Sequence, residues 1–290
     1  MSRRGRPDNF ENCINRFLSD LVNKNVVSSL VKAFISCFSD VGKENYISIF
    51  ERYSVQKLYE EFKCEKISGL LRRASLYIDD LFKEVKNIFD AVFLIKMELV
   101  SRLSIQTRDP MIPFDISIAW DPILNLPYIP SSSLKGVVRS YILNVAKINK
   151  IDDISVYDLF GRGGRESSIG ALVFFDAYPV ACMNNLIEPE VITPHYKEAE
   201  RKIDETSSSP VPIVFPTLAS GTIFNTIIAI DYSMLETMYK NKSFDLRRLI
   251  DFVKENVIKA LDVGVGAKTN LGYGRIRAMS QTEYVKETNK

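Results

Sequence analysis

The chain has 290 residues, is 46% hydrophobic and carries 38 Lys and Arg against 36 Asp and Glu, a net charge of +2. That apolar content excludes global disorder and supplies a sizeable core for one large domain or two modest ones. The near balance of charge excludes steering of a polyanion by the whole molecule, so a nucleic-acid surface has to come from local clustering.

No apolar run reaches the roughly 18–20 residues that span a bilayer. The basic amino terminus MSRRGRPDNFENC is not followed by the apolar stretch of a secretory signal. The expectation is a cytoplasmic protein with no membrane partner.

Residues 1–90 contain only Gly5, Gly42, Gly69 and Pro7, whereas the remaining 200 hold ten glycines and eleven prolines. Sparse punctuation suits helices, and dense punctuation suits strands and turns. Phe10, Ile14, Phe17, Leu18, Leu21 and Val22 recur at helical spacing, and Val27, Leu30, Val31, Phe34, Ile35 and Phe38 continue it. Further helices are predicted over 45–62 and 68–89, the second with a stripe through Leu70, Leu71, Ala74, Ile78 and Val85. Residues 1–90 thus read as a helical region whose apolar face packs on the rest of the chain or docks a partner subunit.

From Ala91 the pattern changes. Residues 92–105 read as a strand, followed by a passage punctuated by Pro110, Pro113, Pro122, Pro127 and Pro130. SSSLKGVVRSYILNVAKI then reads as a helix, with serines to cap it and Leu134, Val138 and Ile142 on its apolar stripe. Strands are predicted at 171–180, 211–218 and 222–231, the last two joined by a turn at Ala219-Ser220-Gly221. A helix over 245–261, capped by Asp245, leads through a glycine-rich stretch into a last strand at GRIRAM. The order strand, helix, strands, helix, strand predicts an α+β fold: a ferredoxin-like βαββαβ core with insertions over 91–290, preceded by the α-helical region.

Cys13, Cys37, Cys64 and Cys182 form no C-x-x-C pair and His195 is the single histidine, which argues against a zinc site. Buried free thiols in a reducing compartment are the simpler expectation. Asp176 and Asp231 fall near strand ends without a D-x-D or E-x-x-D neighbour, so neither a metal nor a cofactor is expected.

The glycine-rich stretch DVGVGAKTNLGYGRIRA runs from Asp262 to Ala278. It is not a nucleotide-hydrolysis loop. The G-x-x-x-x-G-K-[ST] spacing fails at Asp262 and Ala267, and the stretch leaves a helix to enter a strand, which presents the partly negative helix end. Two readings remain: a helix C-cap at Gly264 with a tight turn, or a loop whose glycines let backbone approach a phosphodiester chain.

GVGAKTNLGYGRI resembles the carboxy-terminal glycine-rich signature of the RAMP superfamily of CRISPR-associated RNA-binding proteins. YIPSSSLKGVVRSYI resembles the superfamily's first-helix motif, and LFGRGGRESSIGALVFFDAYP its LFG loop with the following G-x-x-x-F-x-D-A-x-P strand. VITPHYK and PVPIVFPTLASGTIF resemble blocks of one family within it, the sixth subunits of type III-B, or Cmr, effector complexes. The resemblance covers Ala91 to Ala278. Ser131 departs from it, standing where the family often has glycine, and residues 1–90 lie outside the shared pattern.

The resemblance implies a noncatalytic subunit that binds the 3′ part of a guide crRNA, with target RNA and other Cmr subunits as further partners. In the family, target cleavage is attributed to the repeated backbone subunit and cyclic oligoadenylate synthesis to the large one. Under that reading Ser132, Ser133 and Lys135 place hydroxyls, amides and a cation at a helix N-terminus, with Arg139 one turn on. Arg162 and Arg165 flank Gly163-Gly164 in a mobile basic loop. Gly264, Gly266, Lys268, Thr269, Asn270, Tyr273 and Arg275 bring backbone, cations and a stacking ring to RNA from the carboxy-terminal loop. His195, Tyr196 and Lys197 are RNA contacts in this reading; in the alternative, a metal-independent CRISPR RNA-processing endoribonuclease, His195 is the general base.

Overall fold

The computed structural model describes residues 7–37, 46–164, 167–193, 212–240 and 244–286. Four helices come first: α1 (Pro7–Leu18), α2 (Val26–Ser36), α3 (Tyr46–Glu61) and α4 (Ser68–Ile88). Then follow β1 (Ala91–Leu99), a short hairpin of β2 (Trp120–Asp121) and β3 (Leu126–Pro127), and α5 (Ser131–Ser140), which continues as a π-helical turn over Tyr141–Val145. A second hairpin, β4 (Lys150–Ile151) with β5 (Ile154–Ser155), precedes α6 (Val156–Phe160), β6 (Leu172–Phe174) and β7 (Tyr178–Ala181). The chain ends with β8 (Ile187–Ile192), β9 (Ile213–Leu218), β10 (Ile223–Ile230), α7 (Tyr232–Met238), α8 (Leu246–Val263) and β11 (Ile276–Val285).

The main sheet has the order β11-β1-β10-β6, with β7 also on β10, and every pair is antiparallel. Counting β6 and β7 as one broken strand, the spatial order of the four core strands is 4-1-3-2. Helix α5 joins the first to the second and α8 the third to the fourth. This is the expected ferredoxin-like arrangement. Helices α5 and α8 pack on each other and on β6 and β11, while α4 packs across β1, β7 and β10. Successive β1 side chains alternate between these layers. Phe93 lies beneath Lys254 of α8, and Tyr284, the register partner of Val92, lies beneath Lys86 of α4.

The turn expected at Ala219-Ser220-Gly221 is present and joins two different sheets. Strands β9 and β10 meet at the predicted turn but do not pair; β9 instead forms a two-stranded ribbon with β8, from Ile187↔Leu218 to Ile192↔Ile213. Leu103 bridges Leu218, so the segment after β1 follows the ribbon out of the main sheet. Strand β8 was not foreseen, because Pro189 interrupts the apolar alternation of IEPEVI.

The apolar core runs without a break from Phe10 and Phe50 through Phe93 and Trp120 to Ile276. Phe62 meets Trp120 edge-to-face, and Phe50 lies against Phe114. The expectation of free thiols is corrected. Cys13 is bonded to Cys37, and Cys64 to Cys182, each with a Cα separation of 5.8 Å. Sequence separations of 24 and 118 conceal this proximity, which packing alone creates. The second bridge ties the turn after α3 to the residue after β7.

A carboxylate lies within this core. Glu51 of α3 accepts from the Asp115 amide through one oxygen, while its other oxygen and the Ser54 hydroxyl are buried without a hydrogen-bond partner among the described residues. Burial pushes the Glu51 carboxyl up to about 7, with the Asp115 amide opposing the shift and the Asp115 charge adding to it. The folded chain therefore binds a proton there that the unfolded chain has released. That contribution is complete at acid pH and is lost as pH rises through 7. Between pH 5 and 8 the wild type is expected to lose about 2–3 kcal/mol relative to Glu51→Gln. Parallel thermal melts of the two proteins check this; equal pH slopes contradict it.

Candidate RNA-binding surface

Helix α8 starts where the Asp245 side chain accepts from the Arg247 amide and ends at Gly264, whose amide returns to Ala260. The chain then folds back on itself. Val265 donates to the Gly274 carbonyl, Leu271 to Lys268 and Gly272 to Thr269, so Thr269–Leu271 makes one tight turn at the tip. Residues 101–104 hold the loop from below. Gly274 donates to the Arg102 carbonyl, Ala267 to the Ser104 carbonyl, and the Arg275 amide to the Ser101 hydroxyl. The neck is thus rigid and the tip open, with Asn270 and Leu271 exposed and Thr269 half-buried against Gly264. Gly266, exposed, passes directly over the Ser104 carbonyl.

Cations near the loop differ sharply in how far they are already neutralised. Arg275 pairs with Asp262 at 2.9 Å and Arg277 with Glu98 at 2.5 Å. Arg102 is held by Glu188 at 2.6 Å and Glu190 at 3.0 Å. Lys268 has no carboxylate partner among the described residues; its ammonium lies 4.5 Å from the Phe215 ring centroid and 5.4 Å from that of Tyr273. Tyr273, expected to stack on a base, donates its hydroxyl to Glu190 at 2.7 Å, and that bond raises the phenol above its ordinary range. Burial disfavours ionisation of Glu190, but bonds from Tyr273, the Val191 amide and Arg102 outweigh it and hold the carboxyl below its ordinary range.

A second group forms around α5. At its N-terminus Asp176 takes one amide and no serine side chain makes a capping bond, which corrects the reading of the serines as caps. The Ser131 amide donates to Asp176 at 2.6 Å, and the Ser133 and Leu134 amides turn back to the Pro130 carbonyl. Ser132 is exposed and Ser133 half-buried. Lys135 is half-buried and donates to the Leu172 carbonyl at 2.8 Å; burial, and then the nearby Arg139, lowers its ammonium pKa. Arg139 and Arg162 both approach the Tyr157 ring, at 5.3 and 5.6 Å from its centroid. Arg162 lies 3.6 Å from Asp158, and its backbone pairs with Ser168 at the base of the glycine-arginine loop.

Tyr157 is a surface aromatic between two arginines that sequence reading missed. Its only signal is the Tyr157-Asp158 pair immediately before the LFG loop. Arg165, His195, Tyr196 and Lys197 lie outside the described residues. Asp231 caps α7 by accepting from the Met234 amide, and Asp176 caps α5, so both carboxylates have structural partners. Among the described residues no group of three or more His, Cys, Asp or Glu gathers to hold a metal, and no helix is long and apolar enough to cross a membrane.

A 4-1-3-2 sheet backed by two helices, with a glycine loop between the second helix and the last strand, defines the ferredoxin-like class. The RAMP superfamily model matches residues 96–277, and the chain belongs to that superfamily. It is 28% identical over 270 residues to the CRISPR system CMR subunit Cmr6 of Saccharolobus solfataricus, covering 90% of this chain and 84% of that protein. It is 26% identical over 242 residues to the Cmr6 subunit of Pyrococcus furiosus, covering 62% of this chain and 66% of that one. A chain in the solved structure of a type III-B Cmr-beta complex bound to cognate target RNA superposes with a TM-score of 0.69 at 21% identity, over 97% of this chain and 99% of the other. That likeness extends the shared fold through the amino-terminal helices, which lie outside the superfamily match.

Proposed function

We propose that this chain is a noncatalytic guide-RNA-binding subunit of a cytoplasmic type III-B CRISPR effector complex, in contact with the 3′ part of the guide and with neighbouring subunits. The observation that carries the reading is Lys268: a cation without a carboxylate partner among the described residues, on a rigid-necked glycine loop. Similarity to two Cmr6 subunits supports the assignment to that complex. Residues 91–290 form the RNA-binding domain in this reading, and residues 1–90 brace it and offer a subunit contact. Contacts to phosphates and to shape suit a protein that carries many different guides.

Log affinity for guide RNA should fall linearly with log salt, and Lys268→Gln should reduce the slope by about 0.7, the share of one single-stranded phosphate contact. Arg277→Gln should change it far less, because Glu98 already neutralises that cation. Unchanged RNA association after replacing Lys135, Arg139 and Lys268 together by glutamine overturns the assignment.

A further inference from the structure

Behind the glycine loop lies a cavity of about 240 Å³, lined by Ser104, Thr107, Arg108, Asp115, Phe215 and Lys268 among others. Its two cations belong to different segments, Arg108 to the stretch after β1 and Lys268 to the loop, and neither forms an ion pair among the described residues. Arg102, Arg275 and Arg277, close by in sequence, are all neutralised by carboxylates. The cavity lining includes one aromatic ring. Phe215 is 1% exposed, and the Lys268 ammonium lies 4.5 Å from its ring centroid. A cavity smaller than the roughly 300–1,000 Å³ of drug-sized sites admits one base, not a larger ligand.

We propose that this cavity receives one unstacked nucleotide of the bound RNA, its phosphate held by Arg108 and Lys268 and its base against Phe215. The inference rests on the RNA-binding reading above and deepens it. Lys268 carries both halves of the exchange. While it covers Phe215, the ring is sealed and the cation partly satisfied by its π-face. When it turns to a phosphate, the ring is uncovered and a base takes its place, so phosphate and base enter together. Asp115, also in the lining, offers an acceptor to an exocyclic amine, and the two cations are the groups suited to the phosphate.

The test is photocrosslinking of guide RNA, substituted with a photoreactive base at successive positions, to the full chain, with the crosslinked peptides mapped by mass spectrometry. One nucleotide position is expected to crosslink to the peptide bearing Phe215. Arg108→Gln should weaken that crosslink several-fold and leave those to the glycine loop in place. Phe215→Leu, which keeps the core filled, should weaken RNA binding about tenfold, the scale of one lost stacking contact. Loss of the Phe215 crosslink on adding free nucleoside monophosphate, with the RNA still bound, supports a pocket that a single nucleotide fills. Bound RNA that crosslinks only outside the cavity, with Arg108→Gln and Phe215→Leu both of wild-type affinity, overturns the pocket alone. Absence of RNA association in the wild type overturns the functional reading and the pocket together.

Discussion

Replacing Asn125 by leucine is expected to lower the stability of the folded chain by about 4 kcal/mol, well beyond the ~1 kcal/mol typical of a substitution. Asn125 sits in the β2–β3 turn at φ +57°, buried, and its side chain is spent on the helical region. Its carbonyl oxygen accepts from the Val26 amide at 3.0 Å and more weakly from the Trp120 indole at 3.4 Å, while its amide donates to the Leu21 and Lys24 carbonyls. Leucine keeps the volume and orphans the Val26 amide that starts α2 and the Lys24 carbonyl before it, each at about 1–3 kcal/mol where water cannot reach, while the Leu21 carbonyl keeps only the 3.3 Å bond from the Lys24 amide. It also places a branched side chain in the left-handed region that asparagine tolerates. Asn25 is the control. It caps α2 through the Ser28 amide and reaches the Pro122 carbonyl, but from an exposed position, so Asn25→Ala should cost about 1 kcal/mol. Thermal melts should separate the two by several degrees; similar losses would mean that Asn125 is not the joint between helices and sheet.

The regular elements were legible because their signals are local. Helices α3, α4 and α8 were placed to within a few residues from apolar spacing, and Asp245 caps α8 as read. The sheet order was reachable because two helical stripes between four strands leave few ways to cover one antiparallel sheet. What escaped was set by contacts distant in sequence. Asp176 fills the α5 N-terminus from 45 residues away, and nothing in SSSLKG announces it. The Cys64–Cys182 pair and the β8–β9 ribbon are of the same kind. Charge was the least legible of all: Arg275 reads as an RNA contact, yet Asp262 already holds it, as Glu98 holds its neighbour Arg277. Sequence counts cations, whereas the fold decides which remain unneutralised.

The same distinction between residue type and position governs the glycines, and it yields the second large effect. Gly274→Ala is expected to destabilise the chain by about 3–4 kcal/mol and to weaken RNA binding at least tenfold, whereas Gly272→Ala should cost about 1 kcal/mol and bind nearly as wild type. Both positions have positive φ, +69° and +85°, so both alanines carry the left-handed penalty. They differ in what the new methyl meets. At Gly272 there is nothing within 4 Å. At Gly274 the Cβ would sit 1.9 Å from the Val265 carbonyl oxygen and about as close as 3.0 Å to its carbon, and backbone atoms there cannot turn aside. Relief requires opening the neck, where Val265 donates to Gly274 and Gly274 to Arg102, and that releases the segment carrying Lys268 from the cavity it closes. Melting curves and RNA titrations at one salt concentration check the pair. Should Gly274→Ala keep wild-type affinity despite its lost stability, the tip would find RNA without its neck, and the rigidity of the loop would be a feature of folding alone.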